Sequence, residues 1–560
     1  MDVSRFLFFI GKIQEEIFSS FLFFCLLFFN TPYLIYLIIT GSKAHCFAAL
    51  GRSVFFAWLI CLILCLLKKY MRCYMLAFII VSFVALNTFF LDCFSLYQYG
   101  YPFNSGMFDV IISTNMHEAL EYIEQFLSVR YLLVFVFFVF GSVLFTRYSI
   151  KVSKCVSARK KAILVGVILA FTIADMSRLG LDKWWIVTCR DFSVARLINI
   201  IDVGYENIKE YEYYEGKASE NTAVVNKDNS DIPYVIFILG ESTSRNHMGL
   251  YGYDLDTTPL LNQRKSSGDL YVFSDVISHH SHTLMVMREL FTFYRRDMED
   301  DWFRHNNIFD ILRQTNYHTV WLSNQESSGV WSLDKFYSNR CDEKYFSALR
   351  ESRDDNALLD ETLLPVLKKI NYSEKNFVVI HLMGTHGKYN KRYPKEFEIF
   401  KTDDESKGID IKQKQIRSEY DNAVLYNDYI VDSIIEQFKN DDAIVIYVSD
   451  HADEVYEDRD FVGHSESHGT KFMIEIPMLI WTSHIFKEKR PQLTQRIADS
   501  VDRPFMTDDM IHVLMDILSI DTDDYDPKLS VINNNYKSSE RFYNGMRYVK
   551  FNNETKMVNE

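Results

Sequence analysis

The chain has 560 residues, of which 48% are hydrophobic and 24% are charged, and its formal net charge is -14. This acidic balance excludes a generally basic nucleic-acid-binding protein, and the large apolar fraction excludes a disordered chain. The nine cysteines contain no CxxC pair, which argues against a zinc ribbon and a dense disulfide scaffold. We therefore expect a folded protein that has no nucleic acid among its partners.

Five stretches in the first third of the chain are apolar and close to the length of about 20 residues that crosses a bilayer. They cover residues 18–40, 46–67, 74–97, 131–147 and 162–176. We predict five transmembrane helices, because the alternative, a buried helical core, would need a much larger polar shell. The first stretch is not a cleaved signal peptide, since its apolar part is too long and acidic residues interrupt the basic leader.

The basic residues of the short loops set the orientation of these helices. Lys68, Lys69 and Arg72 follow the second stretch, and a purely basic run lies between residues 147 and 161. Both loops are expected in the cytoplasm. Five crossings then place everything after the fifth helix outside, which is the periplasm if the protein lies in a Gram-negative inner membrane.

The chain is predicted to have three parts: a transmembrane domain (1–176), an interfacial connector and linker (177–232), and an α/β catalytic domain (233–560). In the last part, short apolar runs suit strands that are buried on both faces of a parallel sheet. These runs cover residues 234–239, 318–322, 376–382 and 443–448, and the stretches 307–315 and 420–438 have helical spacing. The fold class is therefore a helix-flanked, mainly parallel sheet.

Polar residues follow three of the predicted strands. Glu241 comes after the first, His386 shortly after the third, and Asp450 with His451 after the fourth. Ligands of parallel α/β sheets bind beside the carboxyl ends of the strands, and carboxylates with imidazoles suit Zn²⁺. The sequence thus indicates a zinc site, although an Asp-His pair at a strand end is also common without a metal.

The segment HHSHT at 279–283 contains hydroxyls that could act as a nucleophile. A Ser or Thr hydroxyl needs a base or a metal ion to attack at neutral pH. Spacing alone does not choose among these side chains, and a His-rich polar loop remains the alternative.

Several motifs occur in one order along the chain. They are VIFILGESTSRNH at 235–247, YGY at 251–253, DTTP at 256–259, HLMGTHGK at 381–388, KRYP at 391–394, YDNAVLYND at 420–428, YVSDH at 447–451, GH at 463–464 and EIP at 475–477. With five apolar helices before them, these motifs resemble the phosphoethanolamine transferases, inner-membrane enzymes of the alkaline phosphatase and sulfatase superfamily. The resemblance covers nearly the whole chain.

The resemblance implies roles for individual residues. Glu241, Asp450 and His451 look like zinc ligands, with Thr283, eight residues before Phe291, as nucleophile and fourth ligand. Further expected site residues are His386 and His464 near the phosphate, with His468 as a competitor of His464, Thr114 and Glu118 facing the site from the membrane side, and Asn324 and Gln325 on the acceptor side. For Thr114 and Glu118 a solvated amphipathic helix is the alternative.

The implied reaction moves phosphoethanolamine from phosphatidylethanolamine through a covalent threonine intermediate to lipopolysaccharide, at core heptose or lipid A. One tight zinc site is expected, with a second that is transient. Two features depart from the family: Ala452 replaces a frequent Gly, and only Cys341 lies in the catalytic domain, with Cys189 near the membrane. Because many lipid A-modifying members carry several disulfides there, the sequence favours members without them, some of which act on core heptose.

Three alternatives use the same fold. A sulfatase or phosphodiesterase would hydrolyse its substrate, but residues 281–288 lack the motif that is converted to formylglycine. A phosphoglycerol transferase would use manganese and phosphatidylglycerol. A non-catalytic binding protein would have lost part of the site, whereas Glu241, Thr283, Asp450 and His451 are all present.

Overall fold

The computed structural model describes residues 11–40, 43–99, 102–104, 107–108, 111, 129–202, 223–295, 298, 302–326, 333–348, 359–402, 410–466, 469–551 and 554–559. The chain divides into two compact units, Met1–Glu210 and Tyr211–Glu560. The division falls inside the segment 177–232 that the sequence assigns to a connector. The limits of that connector remain a prediction.

The first unit is helical. Its helices are α1 (Phe21–Phe29), α2 (Thr31–Ile39), α3 (Lys43–Leu67), α4 (Met71–Tyr99), α5 (Val129–Cys155), α6 (Ala158–Leu179) and α7 (Leu181–Asp191). Five helical stretches are long and apolar enough to cross a membrane: Phe21–Ile39, His45–Leu67, Met71–Tyr97, Tyr131–Cys155 and Arg159–Leu179. The five apolar helices predicted from the sequence are confirmed, and the structure lengthens the last two.

Buried charges in the first unit are paired. The Arg52 guanidinium donates to the carboxylates of Asp175, at 2.8 Å, and Asp191. The Asp191 carboxylate also accepts from the Tyr33 hydroxyl at 2.9 Å. Charged groups inside apolar helices are costly unless they are paired, so this network explains how α3, α6 and α7 keep such residues in their interior.

The second unit contains a seven-stranded sheet and several small ones. The strands are β1 (Val225–Asp228), β2 (Tyr234–Gly240), β3 (Leu270–Val272), β4 (Val276–Ile277), β5 (His318–Glu326), β6 (Glu343–Ala348), β7 (Asn376–His381), β8 (Ala443–Ser449), β9 (Glu454–Val455), β10 (Val462–Gly463), β11 (Met478–Thr482), β12 (Phe505–Met506), β13 (Ile520–Thr522), β14 (Arg541–Tyr543), β15 (Met546–Phe551) and β16 (Glu554–Asn559). The large sheet has the order β3-β11-β8-β2-β7-β5-β6. Its five strands from β8 to β6 are parallel, and β11 is antiparallel to both β8 and β3.

Helices cover both faces of this sheet. They are α8 (Pro259–Ser267), α9 (Thr283–Leu290), α10 (Ile308–Leu312), α11 (Leu333–Ser338), α12 (Leu364–Leu367), α13 (Ile411–Gln437), α14 (His484–Lys489), α15 (Pro491–Ala498) and α16 (Met510–Leu518). Phe291, which ends α9, packs its ring 5.3 Å from that of Phe237 in β2. Asn427 of α13 donates to the Tyr447 hydroxyl of β8 at 2.8 Å. Phe237 pairs with Ile446, so Tyr447 points to the other face, and α9 and α13 lie on opposite sides.

The predicted mainly parallel sheet is confirmed, and its four predicted strands are β2, β5, β7 and β8. The helix predicted at 420–438 is α13, which begins earlier, at a capping box formed by Asp410 and Gln413. The helix predicted at 307–315 is shorter, since α10 ends at Leu312. The C-terminal antiparallel sheet of β14, β15 and β16 has no counterpart among the predicted elements.

All nine cysteines are free thiols. Cys189 is buried and Cys341 is partly buried, so neither is in a disulfide. Hydrogen bonds and packing alone therefore hold the loops of the second unit.

Candidate active site

Three neighbouring parallel strands end side by side at the site. Glu241 directly follows β2, and Asp450 with His451 directly follows β8. Because Gly240 pairs with Ser449, Glu241 and Asp450 leave the sheet at the same level. The loop that carries His386 leaves β7 on the other side of β2. The carboxyl edge of the sheet thus gathers the residues that the sequence placed at separate strand ends.

Glu241, Asp450 and His451 form a buried cluster in which the candidate ligand atoms all lie within 4.8 Å of one another. Asp450 Oδ1 accepts from the backbone amides of Ser242 at 3.0 Å and His451 at 2.6 Å. Its other oxygen, Oδ2, is buried and has no hydrogen-bond partner. A buried oxygen without a donor beside a carboxylate and an imidazole fits a divalent cation, and this mixture of donors fits Zn²⁺.

Thr283 brings a hydroxyl to this cluster. It is the first residue of α9, and its Oγ1 lies 3.2 Å from Glu241 Oε2 and 3.3 Å from His451 Nε2. The other hydroxyl of the 279–283 segment, Ser281 Oγ, contacts Glu466 and Tyr543 instead. The structure thus places Thr283, rather than Ser281, against the candidate metal ligands.

His464 lies next to His451. The two imidazole rings are 4.0 Å apart, and His464 Nδ1 contacts Asp453 Oδ1 at 2.8 Å. His451, Asp453 and His464 form a second group whose candidate ligand atoms lie within 4.8 Å of one another. This group adjoins the first one through His451, so the arrangement has room for phosphoryl oxygens or for a second cation.

His386 lies in the loop after β7. Burial lowers its pKa to about 4, although the charge of Glu241 acts in the opposite direction. Its Nδ1 is buried and lacks a hydrogen bond. At neutral pH it is therefore an uncharged imidazole that is free to accept or donate at the site.

Some site residues were missed by the sequence reasoning. His381 Nδ1 contacts both oxygens of Asp334 at 2.9 Å, and its Nε2 lies 3.8 Å from Glu241 Oε2. Burial lowers the pKa of His381, but the carboxylates of Asp334 and Glu241 outweigh it and raise that pKa to about 10. Asp453, which supports His464, was missed as well. The available signal for His381 was its place at the end of a predicted buried strand.

Other predicted site residues have different surroundings. Asn324 is buried and donates to Asp360 Oδ1 at 2.7 Å, and Gln325 donates to the carbonyl of Leu382 at 3.0 Å. Asp360 in turn accepts from the amides of Met383 and Gly384. Asn324 and Gln325 thus contact groups that hold the His386 loop, and their role toward the acceptor remains a prediction. Thr114, Glu118 and His468 lie outside the described residues.

Gly384 permits a close approach between the His386 loop and Glu241. Its φ is +52°, and a Cβ there would lie 2.7 Å from the Glu241 carbonyl oxygen. We expect Gly384→Ala to destabilise the protein by about 3 kcal/mol, from the left-handed backbone and the clash together. Gly252 also has a positive φ, of +96°, but open space around it.

The matched variant Gly252→Ala should therefore cost only the backbone penalty, about 1 kcal/mol. The thermal-unfolding midpoints of the two purified full-length variants check this order. Equal midpoints for the two variants would contradict the close approach at Gly384.

Comparison with known proteins gives one family and several relatives. Residues 233–520 match the family model described as Sulfatase. Phosphoethanolamine transferase EptC of Escherichia coli (strain K12) is 29% identical over 471 residues, which is 79% of this chain and 80% of that protein.

Solved structures give the same relationship. The crystal structure of the C-terminal periplasmic domain of EptC from Escherichia coli, in complex with Zn, is 30% identical, with a TM-score of 0.54 over 57% of this chain and 92% of that one. The integral membrane protein lipooligosaccharide phosphoethanolamine transferase A (EptA) from Neisseria meningitidis has a TM-score of 0.63 at 19% identity, over 92% of this chain and 97% of that one. The latter likeness shows a shared fold that includes the helical unit.

Proposed function

The chain belongs to the sulfatase family and is an enzyme of its phosphoethanolamine transferase branch, and we propose that it moves phosphoethanolamine from phosphatidylethanolamine to lipopolysaccharide through Thr283. The observation that carries this proposal is the position of Thr283 Oγ1, 3.2 Å from Glu241 and 3.3 Å from His451 within a buried cluster of metal-ligand type. A lone threonine hydroxyl is a weak nucleophile, and such a position is what activates it.

Glu241, Asp450 and His451 would hold Zn²⁺, with Thr283 as the fourth ligand. When bound, the ion supplies positive charge that lowers the pKa of a hydroxyl and stabilises a negatively charged phosphoryl group. The zinc complex of the EptC periplasmic domain supports this choice of metal. The second group around His464 makes a further, weaker cation site part of the proposal.

In the first step, Thr283 Oγ1 attacks the phosphorus of phosphatidylethanolamine. The bond from phosphorus to the diacylglycerol oxygen breaks, and that oxygen takes a proton as diacylglycerol leaves. Phosphoethanolamine is then bound to Thr283 as a phosphodiester. In the second step an acceptor hydroxyl or phosphate of lipopolysaccharide attacks the same phosphorus and regenerates the threonine hydroxyl.

His386 and His464 are the residues proposed to stabilise phosphoryl charge or to move protons in these steps. His464 is held by Asp453 beside His451, and His386 is a buried, neutral imidazole. Both properties suit groups that must exchange a proton near neutral pH. Their division of labour between the two steps follows from which leaving group each one reaches.

The five apolar helices suit a lipid donor. Diacylglycerol stays in the bilayer after the first step, so an enzyme tethered there meets its donor and releases its by-product in one place. The proposed location is the Gram-negative inner membrane with the catalytic domain in the periplasm. The free cysteines favour the core heptose of lipopolysaccharide over lipid A as acceptor, as the sequence suggested.

The choice of donor is tested with the purified protein in lipid vesicles that contain either phosphatidylethanolamine or phosphatidylglycerol. We expect diacylglycerol release from the first type only, in the presence of zinc, and faster release when lipopolysaccharide is added. Release from phosphatidylglycerol alone, with manganese as the effective ion, would support a phosphoglycerol transferase instead.

The role of His386 gives a separate prediction. We expect His386→Gln to lower kcat by about 10²- to 10⁴-fold, the usual contribution of a positioned acid or base, without loss of zinc. The matched control is His484→Gln, because the His484 side chain is 82% exposed. Initial rates and the metal content of both variants provide the check, and a wild-type kcat for His386→Gln would remove this residue from the mechanism.

A further inference from the structure

The nucleophile loop, residues 279–282, carries the chain into α9 and so sets where Thr283 lies. The residue that precedes the helix, His282, makes no side-chain capping hydrogen bond. A helix start without a local cap depends on contacts from elsewhere for its position. The hydroxyl of Thr283 must be held within a fraction of an ångström to attack in line.

Those contacts come from Glu466, two residues after His464. Glu466 Oε2 accepts from the backbone amide of Ser281 at 2.8 Å and lies 3.1 Å from the Ser281 hydroxyl. Glu466 Oε1 lies 2.5 Å from His280 Nδ1. One carboxylate therefore binds two consecutive residues of the nucleophile loop.

His280 extends the connection into α9 itself. Its second nitrogen, Nε2, lies 3.3 Å from Glu289 Oε1, and Glu289 is near the end of α9. Burial lowers the pKa of His280, but the two carboxylates outweigh it and raise that pKa to about 9, so both ring nitrogens donate at neutral pH. The His280 side chain is only 16% exposed, which makes these bonds stronger than surface contacts.

The C-terminal sheet braces the same two loops. The Tyr543 hydroxyl of β14 donates to Ser281 Oγ at 2.6 Å and lies 3.2 Å from the Ser465 carbonyl. Asn544 donates to the Glu466 carbonyl. The loop of Glu466 is therefore fixed from behind, which allows its carboxylate to act as a rigid support.

We propose that Glu466 is a positioning residue for the transfer reaction, which holds the nucleophile loop through Ser281 and His280 so that the Thr283 hydroxyl stays aimed at the donor phosphorus. This inference rests on the proposed role of Thr283. It also explains how a chain without disulfides keeps the loop before its nucleophile in place. Because Glu466 follows His464 closely, the carboxylate ties the nucleophile and the phosphate-side histidine into one unit.

The test compares Glu466→Ala, Glu466→Gln and the control Glu396→Ala, a carboxylate on the exposed surface, in the full-length protein. For Glu466→Ala we expect kcat to fall by about 10- to 100-fold, the usual result of a misplaced reacting group. The KM for phosphatidylethanolamine and the zinc content should stay at the wild-type values. Glu466→Gln keeps an oxygen for the Ser281 amide and should recover part of the lost rate.

A double-mutant comparison with His280→Gln tests the route of the effect. If Glu466 acts through His280, the double variant should lose little more rate than Glu466→Ala alone. A kcat of Glu466→Ala within about twofold of wild type, or a loss of zinc in both Glu466 variants, would overturn the proposal. An active Thr283→Ala enzyme would instead overturn the proposed function, so the two failures can be told apart.

Discussion

Replacing Thr283 by alanine is expected to lower phosphoethanolamine transfer by about 10³-fold or more, which is the usual effect of removing a covalent nucleophile. The alanine lacks the oxygen that lies 3.2 Å from Glu241 and 3.3 Å from His451. No other hydroxyl of its loop contacts the cluster, because Ser281 is engaged with Glu466 and Tyr543. Initial rates of diacylglycerol release and of acceptor modification measure the loss.

Two controls separate this loss from a collapse of the site. Thr283→Ser keeps a hydroxyl and should retain a measurable part of the rate. Thr283→Ala should still contain most of its zinc, since Glu241, Asp450 and His451 remain, and its thermal-unfolding midpoint should stay near that of wild type. A Thr283→Ala enzyme with wild-type rates would show that another group attacks the donor.

Replacing Glu241 by glutamine is expected to remove both zinc and activity. The neutral amide cannot match the charge that the carboxylate offers to the cation and to His381 and His451, whose ring nitrogens lie 3.8 and 3.4 Å from it. Because even residues that only support a ligand change metal affinity by about 10- to 100-fold, we expect a loss of at least about 100-fold here. Zinc per chain after dialysis and the transfer rate measure both effects.

The control for Glu241→Gln makes the same chemical change on the surface. Glu374 is exposed and far in sequence from the site residues, so Glu374→Gln should keep wild-type zinc and activity. Asp450→Asn provides an independent test, since Asp450 Oδ2 has no hydrogen-bond donor in the protein. Normal zinc content in both Glu241→Gln and Asp450→Asn would mean that the metal binds elsewhere.

The parallel sheet could be predicted because its central strands are buried on both faces. In β2, β7 and β8 nearly every residue is buried, so these strands read as uninterrupted apolar runs. Once the strands are parallel, their carboxyl ends share an edge, and Glu241, Asp450 and His451 follow from that topology alone. Thr283 required the family resemblance, because nothing local distinguishes it from Ser281.

The remaining site residues depend on contacts between distant segments. His381 is recognised only when Asp334 is seen 2.9 Å away, and Asp453 only when His464 is seen beside it. Glu466 lies 186 residues from His280, and neither residue signals its partner. The strands β14 to β16 are short or partly exposed, so their apolar pattern is weak, although they brace the loops around the site.

Mass spectrometry of the full-length enzyme after incubation with phosphatidylethanolamine and zinc tests the covalent threonine intermediate most directly. Trypsin releases residues 266–288 as one peptide that contains Thr283. Without acceptor, the account predicts phosphoethanolamine on Thr283 of this peptide, and its loss when lipopolysaccharide is added. An unmodified peptide at every time after rapid quenching, while diacylglycerol is released and the acceptor is modified, would contradict it.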